Sequence, residues 1–207
     1  FRVVNTLENN KDAGGFRLTF PVLASLVKYP RSAHEALGQA SGKFNFYTAE
    51  QGIFTEIFTT LGLMRDGRAR RHPLSYLLEA ADDICYRIID MEDARELRII
   101  GYQDIKNVVE PLLGDKDMDT ARLGAMDSDR RRSGMLRTRA MACIIPSVVQ
   151  TFMECYEDMM AGTLEGDLLK HAQPDVAKFM SAAKEVFNSK IKNNPQKTER
   201  EIGTYTR

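Results

Sequence analysis

The sequence predicts an all-α protein, and three observations lead there. Apolar residues recur at three- and four-residue spacing through successive stretches, no segment holds the alternation of a strand, and no internal repeat interrupts the pattern. The 207 residues, 43% of them hydrophobic, suffice for a substantial core. With 29 basic against 29 acidic residues there is no net charge to point toward nucleic acid or a membrane surface. No apolar run reaches the roughly 18 residues of a membrane span, and no basic-then-apolar leader opens the chain, so a cytoplasmic protein without membrane association is expected. The start at Phe1 rather than Met suggests a piece of a longer protein.

From Phe1 to Glu8, Val3, Val4 and Leu7 fit the tail of a helix, and Asn9-Asn10 with Gly14-Gly15 reads as a loop. Thr19 can cap a helix from Phe20-Pro21 that buries Val22, Leu23, Leu26 and Val27 and stops before Pro30. Residues Ser32 to Tyr47, with Gly38 and Gly42, suggest a loop. Thr48-Ala49-Glu50-Gln51 has the form of a capping box for a helix carrying Ile53, Phe54, Ile57, Phe58 and Leu61. Arg65, Arg68, Arg70 and Arg71 form a basic linker, read as a solvated loop in preference to a phosphate site.

The stretch Arg71 to Ala94, RHPLSYLLEAADDICYRIIDMEDA, combines a strong helix signal with a heavy load of acid. Pro73 suits a first turn, and Leu74, Leu77, Leu78, Ala81, Ile84, Cys85 and Ile88 predict one apolar face. Asp82, Tyr86 and Asp90 stand at i, i+4 and i+8, in a single row beside that face. Glu79, Asp83, Glu92 and Asp93 crowd the same turns, which is costly unless water screens the charges or a cation sits among them. A solvated acidic face and a lined pocket both remain open on spacing alone, with Tyr86 between two carboxylates favouring the pocket.

Further on, Tyr102 to Leu113 predicts a helix limited by Pro111, and Gly114 to Asp129 a mobile loop whose alternating acids lack the EF-hand pattern. Arg130 to Ala161 reads as one helix kinked at Pro146, opening on the basic RRRSGMLRTR, and Asp175 to Ile191 as another. Cys85, Cys143 and Cys155 form no C-x-x-C pair and are expected to be reduced packing residues. His34, His72 and His171 show neither a His-Asp dyad nor an H-E-x-x-H pattern, so no metal role is expected of them.

RHPLSYLL, EAADDICY and IIDMEDA together closely resemble the dGTPase-like deoxynucleoside triphosphate triphosphohydrolases of the HD superfamily, in which EAADDI-x-Y is a signature. LTFPVLASLVKYPR is similar to the family's LNLT…KYPW segment, with Arg17 in place of the usual Asn and Arg31 of the usual Trp. Lys43-Phe44-Asn45-Phe46 stands where KFG-x-F is usual, Asn45 being a residue type that tolerates the left-handed conformation.

The resemblance implies an all-α HD-type fold, one helical domain over residues 1–207, with an active-site half at 1–113 and a C-terminal helical part at 114–207. It implies hydrolysis of deoxynucleoside triphosphates, with dGTP the expected substrate, to deoxynucleoside and inorganic triphosphate. A divalent cation (Mg, Mn, Co or Fe) would polarise the α-phosphoryl group and lower the pKa of the attacking water. By resemblance Asp82 is the metal ligand and catalytic residue, Tyr86 and Asp90 contact the deoxyribose and its 3′-hydroxyl, Lys28 and Lys43 reach phosphate, and Tyr29 sits near the sugar. A helix-terminal Lys28 and an exposed Lys43 would equally suit plain dipole and solubility roles. The family's upstream His and His-Asp ligands are not in this sequence, so the stretch alone is expected to be inactive. A homo-oligomer and a nucleotide or single-stranded DNA effector complete the expectation. The alternatives are an HD phosphohydrolase with another nucleotide substrate and a non-catalytic helical binding or assembly module.

Overall fold

The computed structural model describes residues 1–9, 11, 15–117 and 120–192, and its architecture is all-α apart from one small ribbon. Its contacts divide the chain into two compact units, the first Phe1–Ala80 with Phe152–Leu168, the second Ala81–Thr151 with the chain from Leu169 onward.

In the first unit a wide helical turn, Val3–Leu7, precedes α1 (Phe20–Ser25), α2 (Ala33–Ala36) and α3 (Gln51–Thr60). The turn closes through Gly15, where the Phe16 N–H donates to the Val4 carbonyl at 3.0 Å. At φ +57° a Cβ there would stand 2.4 Å from that carbonyl oxygen, so only glycine fits. Leu23, Ala24 and Val27 of the α1 region pack on Phe54, Ile57 and Phe58 of α3. The rings of Phe46, Phe54 and Phe58 stack in series at 3.9 and 4.1 Å. Val22 and Leu26, expected inside, are exposed, because so short a helix presents only one narrow side to α3.

Two further expectations are corrected in this unit, and the role of Asn45 is defined. The predicted loop from Ser32 holds a helical turn, since Ser32 Oγ accepts from the Glu35 N–H while Glu35 Oε2 accepts from the Ser32 N–H at 2.6 Å, a reciprocal cap. Asp66-Gly67 takes left-handed backbone at φ 51° and 71° and folds the basic linker into an antiparallel ribbon, β1 (Met64–Arg65) with β2 (Arg68–Ala69). Asn45 is not left-handed: it works through its side chain, whose Oδ1 accepts from the Tyr29 N–H at 2.5 Å. Arg17, standing where the resembled family has Asn, is the left-handed residue, at φ 53°.

In the second unit α5 (Tyr102–Asp117) packs on α9 (Pro174–Val186), with Val108, Val109 and Leu112 buried on one and Val176, Phe179 and Ala183 on the other. Helix α5 continues through Pro111 and breaks at Gly114 (φ 63°, ψ 180°). The expected loop beyond it carries α6 (Thr120–Gly124). Two long helices cross the boundary between the units, α4 (Pro73–Glu96) and α7 (Asp129–Glu154), and α8 (Tyr156–Ala161) follows a break at Cys155 rather than at Pro146. Within the second unit α4 and α7 run antiparallel, pinned by Arg137 to Glu92 at 2.6 Å and Arg130 to Glu96 at 3.3 Å.

The buried face of α4 differs from the predicted stripe. Tyr76, Ala80, Ile84, Ile88, Met91 and Ala94 are inside, whereas Leu74, Leu78, Ala81 and Cys85 are exposed. Cys85 is therefore not a packing residue, although Cys143 and Cys155 are partly covered.

Candidate functional site

Three cationic side chains of the first unit gather around one aromatic ring. The Lys28 Nζ, Lys43 Nζ and Arg31 guanidinium stand 5.7, 5.4 and 5.9 Å from the centroid of Tyr29, and Lys43 also donates to the Tyr29 hydroxyl at 3.2 Å. Asn45 explains how Lys43 arrives there. Its side chain holds the Tyr29 N–H and its own N–H donates to the Arg31 carbonyl at 3.2 Å, folding the 31–45 loop back on the KYP segment. Three cations this close repel one another unless an anion joins them, so the cluster has the character of a phosphate-binding surface.

One carboxylate anchors it. Glu79, whose side chain is only 10% exposed, pairs with Lys28 at 2.9 Å and with Arg71 at 2.7 Å. Arg71 is fixed in turn by bonds to the Ser75 hydroxyl and carbonyl, both 3.1 Å, and by the Tyr76 ring 3.9 Å from its guanidinium carbon. Of the basic linker, Arg65 and Arg68 remain exposed as expected, Arg65 donating to the Ala161 carbonyl at 3.2 Å, whereas Arg70 and Arg71 are half-buried, Arg70 lying against Gly162, where a Cβ would approach it to 3.0 Å. Residue spacing gives Glu79 no role in a phosphate site and reads Arg71 only as one of the solvated linker charges. The only local signal is their placement at either side of the helix start, with Arg71 and Ser75 at i, i+4.

Burial by itself raises the Glu79 pKa, but the hydrogen bonds and charges of Lys28 and Arg71 outweigh it and hold the carboxyl below its ordinary value of 4.5. Burial lowers His72, whose Nδ1 accepts from the Leu74 N–H at 3.2 Å and so serves the start of α4 as a neutral ring. In both cases the unfolded chain binds the proton more tightly, so stability falls as pH falls. The melting temperature is expected to decline first below the ordinary histidine value of 6.5 and again below 4.5 as Glu79 is forced to protonate. Calorimetry from acid to neutral pH checks this, and Glu79→Gln should flatten only the lower limb. A lower limb as steep as in the parent protein would contradict the assignment.

In the second unit Asp82, Tyr86 and Asp90 occupy one row of α4, about 6 Å apart along the axis. Asp82 is exposed, Tyr86 is 59% exposed and Asp90 is half-buried. Ile89, 50% exposed, lies on the same side with Cys85, so the row is bordered by apolar groups that are themselves open rather than by core. The predicted pair of surfaces is therefore divided, Lys28, Tyr29 and Lys43 in the first unit and Asp82, Tyr86 and Asp90 in the second.

Among the described residues no three His, Cys, Asp or Glu side chains are grouped to hold a metal ion. Asp82 offers a hard oxygen ligand of the kind a divalent cation takes, but the described residues do not complete the set. No helix among the described residues is long and apolar enough to cross a membrane.

No protein-family model matches the chain. It is 39% identical over 211 residues to a deoxyguanosinetriphosphate triphosphohydrolase-like protein of Pseudomonas aeruginosa, a match covering all of this chain and 48% of that protein. A protein of the same name from Synechocystis is 31% identical over 199 residues, covering 90% of this chain and 42% of its own length. A deoxyguanosinetriphosphate triphosphohydrolase of Serratia proteamaculans is 28% identical over 208 residues, covering 91% and 40%. The chain spans about half the length of the curated relatives it matches. Matched end to end at such identity, with EAADDICY on α4 and the KYP segment folded onto its lysines, the chain belongs to the deoxyguanosinetriphosphate triphosphohydrolase-like family.

Proposed function

We propose that the protein carrying this chain hydrolyses deoxynucleoside triphosphates, dGTP foremost, to deoxynucleoside and inorganic triphosphate. The observation that carries this reading is the Tyr29 cluster: three cations around one ring, one of them held by Glu79, form a surface suited to several phosphate oxygens at once. Lys28 and Lys43 take the phosphate oxygens and Tyr29 lies toward the sugar. On α4, Asp90 accepts from the 3′-hydroxyl and Tyr86 covers the 2′ side of the ring. Asp82 would hold a divalent cation through its carboxylate, in the HD-type manner. When bound, that cation would supply polarisation of the α-phosphate for water attack. Product analysis of the full-length protein with dGTP tests the reading. Deoxyguanosine and inorganic triphosphate in equal amounts support it, and release of orthophosphate or pyrophosphate instead would refute it.

Tyr86→Ala is expected to lower the rate on dGTP and raise relative use of GTP, because removing the ring relaxes rejection of a 2′-hydroxyl more than it preserves fit. A side chain this exposed in the chain contributes little packing, so its loss should leave the melting temperature nearly unchanged. Matched assays with dGTP and GTP check the ratio. An unchanged ratio would remove Tyr86 from the sugar.

A further inference from the structure

Where α4, α5 and α7 meet inside the second unit, one hydroxyl is buried with nothing to bond. Ser133 of α7 is 1% exposed, and its Oγ has no hydrogen-bond partner among the described residues. Thr138 and Thr151 on the same helix donate to the carbonyls four residues back, Gly134 and Ser147, at 3.0 Å each. The corresponding bond from Ser133 to the Asp129 carbonyl is not made. A hydroxyl taken out of water and left unpaired is costly, so a buried one is normally bonded to protein or to an ordered water.

Ser133 lines a cavity of about 10 Å³. Its apolar wall is Ile88 and Met91 of α4, Ile105 and Val109 of α5 and Ala140 of α7, all buried. The rest of its lining is polar: Glu92 and Arg137, joined at 2.6 Å through Glu92 Oε2 and Arg137 Nη1. A buried water needs roughly 10–15 Å³ of such room and about two to four polar partners. The size admits one water and no larger ligand, and Glu92 and Arg137 neutralise each other, which leaves no net charge to favour a cation in its place. We propose that this cavity binds one structural water, bridging the Ser133 hydroxyl of α7 to the Glu92–Arg137 pair. Glu92 belongs to α4, so the water adds a link between α4 and α7 and helps fix the register of the helix that carries Asp82, Tyr86 and Asp90.

Oxygen-17 relaxation dispersion of the full-length protein, which counts the waters held inside a protein and times their exchange, tests the proposal. Ser133→Val should remove one long-lived water per chain, because the valine methyls take up a space that holds only one molecule. Ser133→Ala cannot overfill the cavity and keeps the test valid should the valine disturb packing. It is expected to shorten that water's residence about fivefold or more, the loss of one hydrogen bond. Thr138→Val, at an exposed site whose hydroxyl is already spent on the Gly134 carbonyl, should change neither count nor exchange. A crystal structure of the full-length protein should place the water within hydrogen-bonding reach of Ser133 Oγ and of Glu92 or Arg137. Parental count and exchange in both Ser133 variants, an equal loss in Thr138→Val, or a Ser133 hydroxyl donating to the Asp129 carbonyl beside a dry cavity would each overturn it.

Discussion

Asp82→Asn in the full-length protein is expected to reduce hydrolysis of dGTP to background while leaving the melting temperature within about a degree or two of the parent. The substitution keeps the side chain's size and removes the charge that a hard cation needs from an oxygen ligand. Asp82 is exposed on α4 and makes no ion pair or side-chain hydrogen bond among the described residues, and exposed positions of that kind alter stability by about 0.5 kcal/mol or less. Activity and stability therefore separate at this residue. Paired rate and melting measurements decide the matter, and a variant retaining a tenth or more of the parental rate would exclude Asp82 as the ligand.

Glu79→Ala carries the largest expected effect on stability. Removing one partner of a buried ion pair costs about 3–5 kcal/mol, because the remaining charge is left desolvated and unpaired. Here two cations lose their partner, but Lys28 is a third exposed and water takes up part of its cost. About 2–3 kcal/mol is expected after that discount, a fall in melting temperature of roughly 5–10 °C for a chain of this size. The same variant should raise KM for dGTP more than it lowers kcat, since Lys28 loses the strut that holds it beside Tyr29. Glu79→Gln, which keeps hydrogen-bonding capacity, should recover part of both. A stable Glu79→Ala protein with unaltered KM would mean that the carboxylate positions nothing.

The extent to which these features were legible in the sequence varies with how local they are. The KYP and EAADDICY segments were readable through the family resemblance, and the row Asp82, Tyr86, Asp90 follows from helical spacing alone. Lys43 was the weakest of the phosphate candidates, yet it reaches the Tyr29 hydroxyl, because Asn45 closes the loop with two hydrogen bonds that no spacing rule announces. The linker arginines read as solvent charges since their partners are distant: Arg65 meets Ala161, and Arg70 lies against Gly162. The turn at Asp66-Gly67 was present in the sequence as a hairpin signal, but two-residue strands leave too little alternation to register.

By itself the sequence determined the all-α class, the existence of the long helices and the family resemblance in α4, all set by interactions within a few residues. Only the tertiary structure decided which side of α4 is buried. Leu74, Leu78 and Cys85 offer one apolar stripe and Tyr76, Ala80, Ile84 and Ile88 another, and periodicity cannot rank two stripes on one helix. In the second unit the choice falls to the helices that α4 meets, where Ile88 and Met91 share a small cavity with Ile105, Val109 and Ala140. The junction of Glu79 with Lys28 belongs to the same class of decision. A carboxylate and an ammonium separated by some fifty residues are paired only when folding brings them together and takes the carboxylate largely out of water, which strengthens an attraction that is weak in the open chain.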